Sequence, residues 1–581
     1  MIGSSLRGGL AASLATALVV LLGPLAHAQK SVDDLPSVTD TYALENARVV
    51  QAPGQVLESA TVVVEDGLIT AVGQNADVPY DARRIQADSL VVYPGFIDGL
   101  SHAGVEMPDD DSEGENDEDV NPGNPPSDLA GIQPDQSVRP FLAPDDSDLG
   151  TLRENGFTAG HVVPDGDMLP GTGAIAFYGG DSADDMVLEE NPALFAQIST
   201  ASGYVYPATD MAVIAKMRQL YREAERRKQL ETQYQQNPRG MRQPPQDPIH
   251  SALFPVLDGE TPLAFYADDA LSLHRILDLR QELGFPLMLA GLAESHELVD
   301  ALAGVEAPLF LTLDLPEKPK RSAESDTTVA DTTDQPGKYY DPDLQTPSQG
   351  SMDEEERNLE LRHAMERQQY LETAATLHEA GLQFGFSTRE ATPGDVRDNL
   401  RTMIENGLPE ETALSALTTR PASLLGLENR LGTVEEGKIA NLVVTDGDYF
   451  DEDTEVQHTF VDGRLYDYTS DTEEGEVTGD VSAVVGTWSY TLETPQGDLE
   501  GTITIEGDQS GLEGTFTGPR GEEEDLQGIS FDGTTLSFSV SSPQGTISIS
   551  VTVEGDTFEG TASGDFGSFP ITGERTSGPE R

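Results

Sequence analysis

Cysteine is absent from the 581 residues. This excludes disulfides and thiolate metal sites, leaving His, Asp and Glu as the side chains for any metal. Positive charge is nearly as scarce: 34 Lys and Arg stand against 103 Asp and Glu, a formal net charge of −69. Such a surface repels nucleic acid and anionic membranes, so neither is an expected partner. The acid is spread along the whole chain, which reads as solubility in high salt rather than as one acidic docking face. Long apolar runs are missing after the first thirty residues. The opening itself has Arg7, an apolar stretch from Leu10 to Leu22, and Ala26-His27-Ala28. That order predicts a secretory leader over residues 1–28, cut near Ala28, and a secreted or periplasmic mature protein with no membrane span.

What is present falls into blocks. Residues 40–92 read as short strands, with Ser59 to Val64 and Leu68 to Val72 flanking the hairpin signal Asp66-Gly67. The same style returns over 432–468, where Leu442-Val443-Val444 and His458 to Val461 lead to Asp462-Gly463. Strands from both ends of a long α/β region can thus pair into a composite sandwich. Between them, Pro262 to Ala267 reads as a strand, Asp268 to Gly284 as a helix and Pro286 to Ala290 as a strand. Glu294 to Ala303 then reads as a helix and Pro308 to Leu313 as a strand. This ladder marks parallel βα units, either a closed barrel or a doubly wound sheet. Three polar segments interrupt it, at 107–120, 222–250 and 317–357. The first is acidic but fails the EF-hand template, because Val120 falls where the closing glutamate is needed. From 480 to 581, period-two runs such as Ile547 to Val553 predict a separate all-β meander, a small barrel or sandwich. Its Gly486-Thr487-Trp488 resembles the opening of lipocalin-like barrels.

Two motifs carry a family resemblance. Pro94-Gly95-Phe96-Ile97-Asp98-Gly99-Leu100-Ser101-His102 resembles the first-strand motif of the amidohydrolase superfamily, where a Pro-Gly-Phe-Ile-Asp run leads into a His-x-His pair. Thr419 to Leu427, followed by Leu431 to Val444, resembles that family's closing signature. Gly156 to Pro164, Pro170 to Ile175 and Asp210 to Gln219 are similar to a secreted branch related to imidazolonepropionases. The resemblance spans about 40–468 and implies a (β/α)8 TIM-like barrel over 93–431. It also implies hydrolysis of non-peptide carbon–nitrogen bonds in a small-molecule substrate by water on a divalent metal such as zinc.

The residues depart from that pattern where the chemistry sits. Leu100 takes the place of the first histidine, leaving His102 of the pair. Arg389, in Phe386-Ser387-Thr388-Arg389-Glu390, takes the place of the family's last-strand aspartate. A guanidinium opposes cation binding and cannot serve as a base. Glu390 offers a displaced carboxylate, although neighbouring strand residues point to opposite faces. No lysine occurs over 31–215 or 229–317, which argues against a carbamate-bridged metal pair. His161 ends a strand near the barrel mouth and joins His102 as a candidate metal ligand. His274, His296 and His378 read as helix residues and His250 as a loop residue. Asp268 follows the strand ending at Ala267, where a functional carboxylate or a helix cap is expected. Candidate catalytic residues are therefore Arg389, Glu390 and Asp268. Three readings follow: a mononuclear metal hydrolase, a non-catalytic binding or scaffold protein, and a metal-free hydrolase using Arg389.

Overall fold

A computed structural model describes residues 41–107, 120–202, 205–316 and 354–469. It also describes 481–578 apart from 495–496, 509–510, 519–522, 532, 543–544 and 565–566. The leader expected over 1–28, most of the acidic segment at 107–120 and residues 317–353 lie outside the described residues.

Strands from both flanks share one sheet. β1 (Tyr42–Ala52), β2 (Gln55–Glu65), β3 (Leu68–Gly73), β4 (Arg83–Gln86) and β5 (Val91–Pro94) come from the N-terminal side. A second set, from the C-terminal side of the intervening α/β region, joins them at β5 in the order β16-β15-β14-β5-β1-β2-β3, with β4 pairing β1: β14 (Leu442–Thr445), β15 (Val456–Val461) and β16 (Arg464–Asp467). Asp66 and Gly67 at the β2–β3 turn have φ of 49° and 79°, as the hairpin signal requires. Alternate residues such as Val62, Val64, Val92, Leu442 and Val444 bury one face of this sheet.

The second sheet also has eight strands, running in the order of the chain from β6 to β13. They are β6 (Phe96–Ser101), β7 (Phe157–Val162), β8 (Gly171–Phe177), β9 (Val187–Gln197), β10 (Leu263–Ala267), β11 (Leu287–Gly291), β12 (Leu309–Thr312) and β13 (Gly385–Ser387). All neighbours are parallel except at β8, which runs antiparallel to both β7 and β9. The helical pattern after β10 forms Ala270–Leu283, capped by Asp269 at its start and stopped by Gly284 at φ 77°. The segment expected as a polar interruption at 222–250 is helical as far as Gln236, because Val213, Met217, Leu220 and Ala224 anchor the helix Asp210–Gln236. The two edge strands meet through side chains. Ser387 Oγ donates to the Leu100 carbonyl at 2.7 Å, and Thr388 N donates to Asp98 Oδ1 at 3.1 Å.

A third unit is a closed antiparallel barrel of eight strands, β17 (Gly486–Thr494) through β24 (Gly567–Ser577). Of the two forms expected for this segment, the barrel is the one adopted. Trp488 is a core plug: its Nε1 donates to the Val484 carbonyl at 2.8 Å, and Arg575 stacks over the ring at 4.4 Å. Among the described residues, no helix is long and apolar enough to cross a membrane.

Candidate active site

The C-terminal ends of β9, β10, β12 and β13 surround a cavity of about 730 Å³. Tyr266, Asp268, Asp314, Gln197, Arg389 and Glu390 all line it. The structure therefore brings together the three residues expected to be catalytic. Glu390 departs from the face expected for it. Since β13 ends at Ser387, the chain is free to turn at 388–390, and Glu390 folds back to pair with Arg389 Nη1. Asp268 is not the helix cap; Asp269 takes that role by accepting from Ser272 N at 2.8 Å. Asp268 is left exposed at the cavity wall, with Oδ1 accepting from Asp269 N at 2.9 Å.

Arg389 is the most constrained group in the site. Its side chain is 8% exposed, against 47% for Glu390. Nε donates to His102 Nε2 at 2.7 Å, and Nη2 donates to Gln197 Oε1 at 3.3 Å. The guanidinium carbon lies 4.3 Å from the Tyr266 ring centre and 5.4 Å from that of Phe195. These cation–π contacts and hydrogen bonds fix the plane of the fork. Burial among these groups pushes the Tyr266 hydroxyl pKa up, so it stays protonated.

The histidines behave differently from the ligand roles expected of them. His102 Nδ1 faces the Val163 carbonyl at 2.8 Å, so it carries the proton and Nε2 accepts from Arg389. Burial, and then the adjacent Arg389 charge, push its pKa down to about 4. Asp165 lies 3.8 Å away and opposes that shift in part. His161 is fully buried, and burial likewise brings it to about 4. The Gly99 backbone offsets this slightly without hydrogen-bond geometry to either ring nitrogen. Leu100 is packed with Val163, Phe195 and Phe310.

A divalent ion does not fit these donors. Both nitrogens of His102 are taken, a guanidinium stands before Nε2, and Leu100 offers no lone pair. Among the described residues, no three His, Asp or Glu side chains converge as a metal group. Among the described residues, none of the remaining histidines lines the cavity: His274 faces Asp278, His296 faces Thr373 and His378 faces Thr412. His250 lies in the short helix Pro248–Ala252 rather than in a loop, and pairs with Glu223 and Asp247.

Sequence reasoning missed Gln197, Tyr266 and Phe195, which close the site around Arg389. Tyr266 sits next to last in a strand that was legible, and its place at the C-terminal end was the available signal. It missed Asp98 as well. Asp98 Oδ1 accepts from Thr388 N and Leu100 N, each at 3.1 Å, and Oδ2 accepts from Tyr178 Oη at 3.0 Å and from Thr388 Oγ1. This buried carboxylate ties β6 to the residue preceding Arg389. Burial raises its pKa to about 6 despite the donors.

An α/β sheet with a cavity at its strand ends, flanked by a sheet built from strands before and after it in the chain, is an amidohydrolase-like arrangement, as comparison with known proteins shows. The sequence model of the amidohydrolase family matches residues 346–466. An imidazolonepropionase of Salinispora tropica is 40% identical over 57 residues, and one of Salinispora arenicola is 42% identical over 57 residues. Each match covers 10% of this chain and only 14% of the relative. The crystal structure of an amidohydrolase from Thermotoga maritima superposes with a TM-score of 0.55 at 20% identity, covering 73% of this chain and 99% of that one. The resemblance read from the two terminal motifs is thereby borne out.

Proposed function

We propose that this chain is a hydrolase of non-peptide carbon–nitrogen bonds in a small molecule, with the Arg389 guanidinium supplying the positive charge at the reacting centre. The observation that carries this reading is the buried Arg389 fork, held by His102 and Gln197 and stacked on Tyr266 at the wall of the cavity. A fixed cation with free N–H groups can stabilise charge developing on a carbonyl oxygen without reorganising. Asp268, exposed at the end of β10, is the carboxylate placed to take a proton from water. Water then adds to the carbonyl carbon, the carbon–nitrogen bond breaks, and the proton passes to the leaving nitrogen. His102 is a positioning residue, since its one lone pair already accepts from Arg389. The fold this reading uses is the closed (β/α)8-type barrel, supported by the side-chain seam between β6 and β13. Work outside the cytoplasm is part of the proposal and rests on the leader-like first 28 residues.

A second reading, a binding protein without turnover, is favoured by the number of Arg389 nitrogens that already have protein partners. One experiment addresses both. Protein purified in high salt is assayed for metal and for hydrolysis of cyclic amides and acyl amino acids, with and without chelator. Chelator-resistant hydrolysis that is lost in Arg389→Gln supports the proposal. Stoichiometric zinc whose removal abolishes activity refutes it, and binding without hydrolysis selects the second reading.

A further inference from the structure

We infer that Glu390 is a displaceable counter-ion on the open end of the Arg389 fork, and that a ligand carboxylate takes its place there. The inference deepens the proposal above by naming the chemical class the cavity accepts.

The nitrogens of Arg389 are not equivalent. Nε is tied to His102 at 2.7 Å, on the side where Nδ1 of that ring is itself held by the Val163 carbonyl. Rings of Phe195 and Tyr266 fix the faces of the guanidinium. The Nη1 and Nη2 end is left toward the cavity, where Glu390 and the Gln197 amide oxygen accept from it. A planar carboxylate matches two parallel N–H donors of such a fork.

The two members of the ion pair differ in freedom. Arg389, at 8% exposure and with contacts on every side, cannot follow its partner, whereas Glu390, at 47%, can swing into water. An exposed carboxylate gives up an ion pair at little cost, whereas a buried guanidinium left unpaired is costly. The pair therefore opens by loss of Glu390 when another anion enters, and Glu390 keeps the guanidinium neutralised until then. The rest of the wall restricts which anion that is. Asp268 and Asp314 line the same space, and their charge repels a doubly charged oxyanion more than a monocarboxylate. A cavity of about 730 Å³ suits a small organic acid.

The full chain is titrated calorimetrically with hexanoate and, separately, with inorganic phosphate at constant ionic strength, alongside Glu390→Gln. The glutamine variant is expected to bind hexanoate at least tenfold more tightly than the native chain, with no comparable gain for phosphate. Arg389→Lys in the Glu390→Gln background should remove the gain, because an ammonium lacks the fork. Unchanged or weaker hexanoate binding in Glu390→Gln overturns the inference, and so does an equal gain for phosphate. Glu390 is exposed, so its substitution is compatible with folding; an unchanged far-UV spectrum confirms it. Hydrolysis is a separate readout. A binding gain without turnover keeps this inference while the hydrolase reading falls, and turnover without the gain does the reverse.

Discussion

Asp98→Asn tests the seam that delivers Arg389 to the cavity. Asp98 is fully buried with no cation beside it, and its carboxyl pKa is pushed from 3.8 to about 6, mainly by burial. Below pH 3.8, folded and unfolded chains both hold this proton. Between there and pH 6 the folded chain holds it more tightly, so stability falls as pH rises through that window. The gap between 3.8 and about 6 corresponds to about 3 kcal/mol, a cost present in full above pH 6. Asparagine keeps the shape. Its oxygen can still accept from Thr388 N and Leu100 N, while its amide faces the Thr388 and Tyr178 hydroxyls, which can rotate to accept. Ser101 Oγ, 3.1 Å from Thr388 Oγ1, is available for the hydroxyl proton displaced by that rotation. Urea unfolding followed at 222 nm reports on the main body, since the C-terminal barrel is built of strands. Comparing native and variant at pH 4 and pH 7.5 cancels the titration of the other acids. The difference should move by about 2.5 kcal/mol in favour of asparagine between the two pH values, since a small part of the cost is already present at pH 4. A pH-independent difference would refute the burial argument. A loss of ~4 kcal/mol or more at both values would show that the donors require the carboxylate.

Two further outcomes use the same unfolding assay. A Cβ at Gly99 would lie 1.9 Å from Phe310 Cδ1 inside the sheet, so Gly99→Ala should cost about 3 kcal/mol; a loss below ~0.5 kcal/mol would mean that Phe310 moves freely. His161 is held near pKa 4 against 6.5 by burial, so the unfolded chain binds more protons and stability is lost as pH falls from 6.5 through 4. His161→Leu should remove about 3 kcal/mol of that acid sensitivity, and an unchanged pH slope would count against it.

Much of the sheet was legible because burial leaves period-two and helical patterns that survive any context. The run from Leu263 to Leu313 is such a case, with apolar strands alternating with capped helical spacing. The inverted β8 was not legible, since an apolar strand reads the same in either direction and only its neighbours reveal the turn. Nor was the meeting of β6 with β13. It is made by Asp98, Ser387 and Thr388 side chains nearly 290 positions apart, and no local pattern encodes that contact. In the site, Arg389 and Asp268 were visible by position at strand ends. Glu390 was misdirected because strand alternation was extended past Ser387, where the strand has already stopped.

Leu100 and Arg389 make more sense together than singly. Loss of one histidine by drift would leave His102 with an idle nitrogen and a hole, yet both nitrogens of His102 are used and Leu100 is packed. A guanidinium at 8% exposure would be expensive to bury without partners. Here His102, Gln197 and Glu390 supply acceptors, and two rings supply faces. The buried contacts depend on one another, because loss of the His102 or Gln197 acceptor leaves a donor of a buried guanidinium unmet. The site therefore holds one fixed positive charge at the point where the family resemblance implies a metal, and it leaves an exposed carboxylate, Asp268, on the same cavity. That combination is what charge stabilisation by a protein side chain needs, whereas a decayed metal site has no reason to keep its cation oriented.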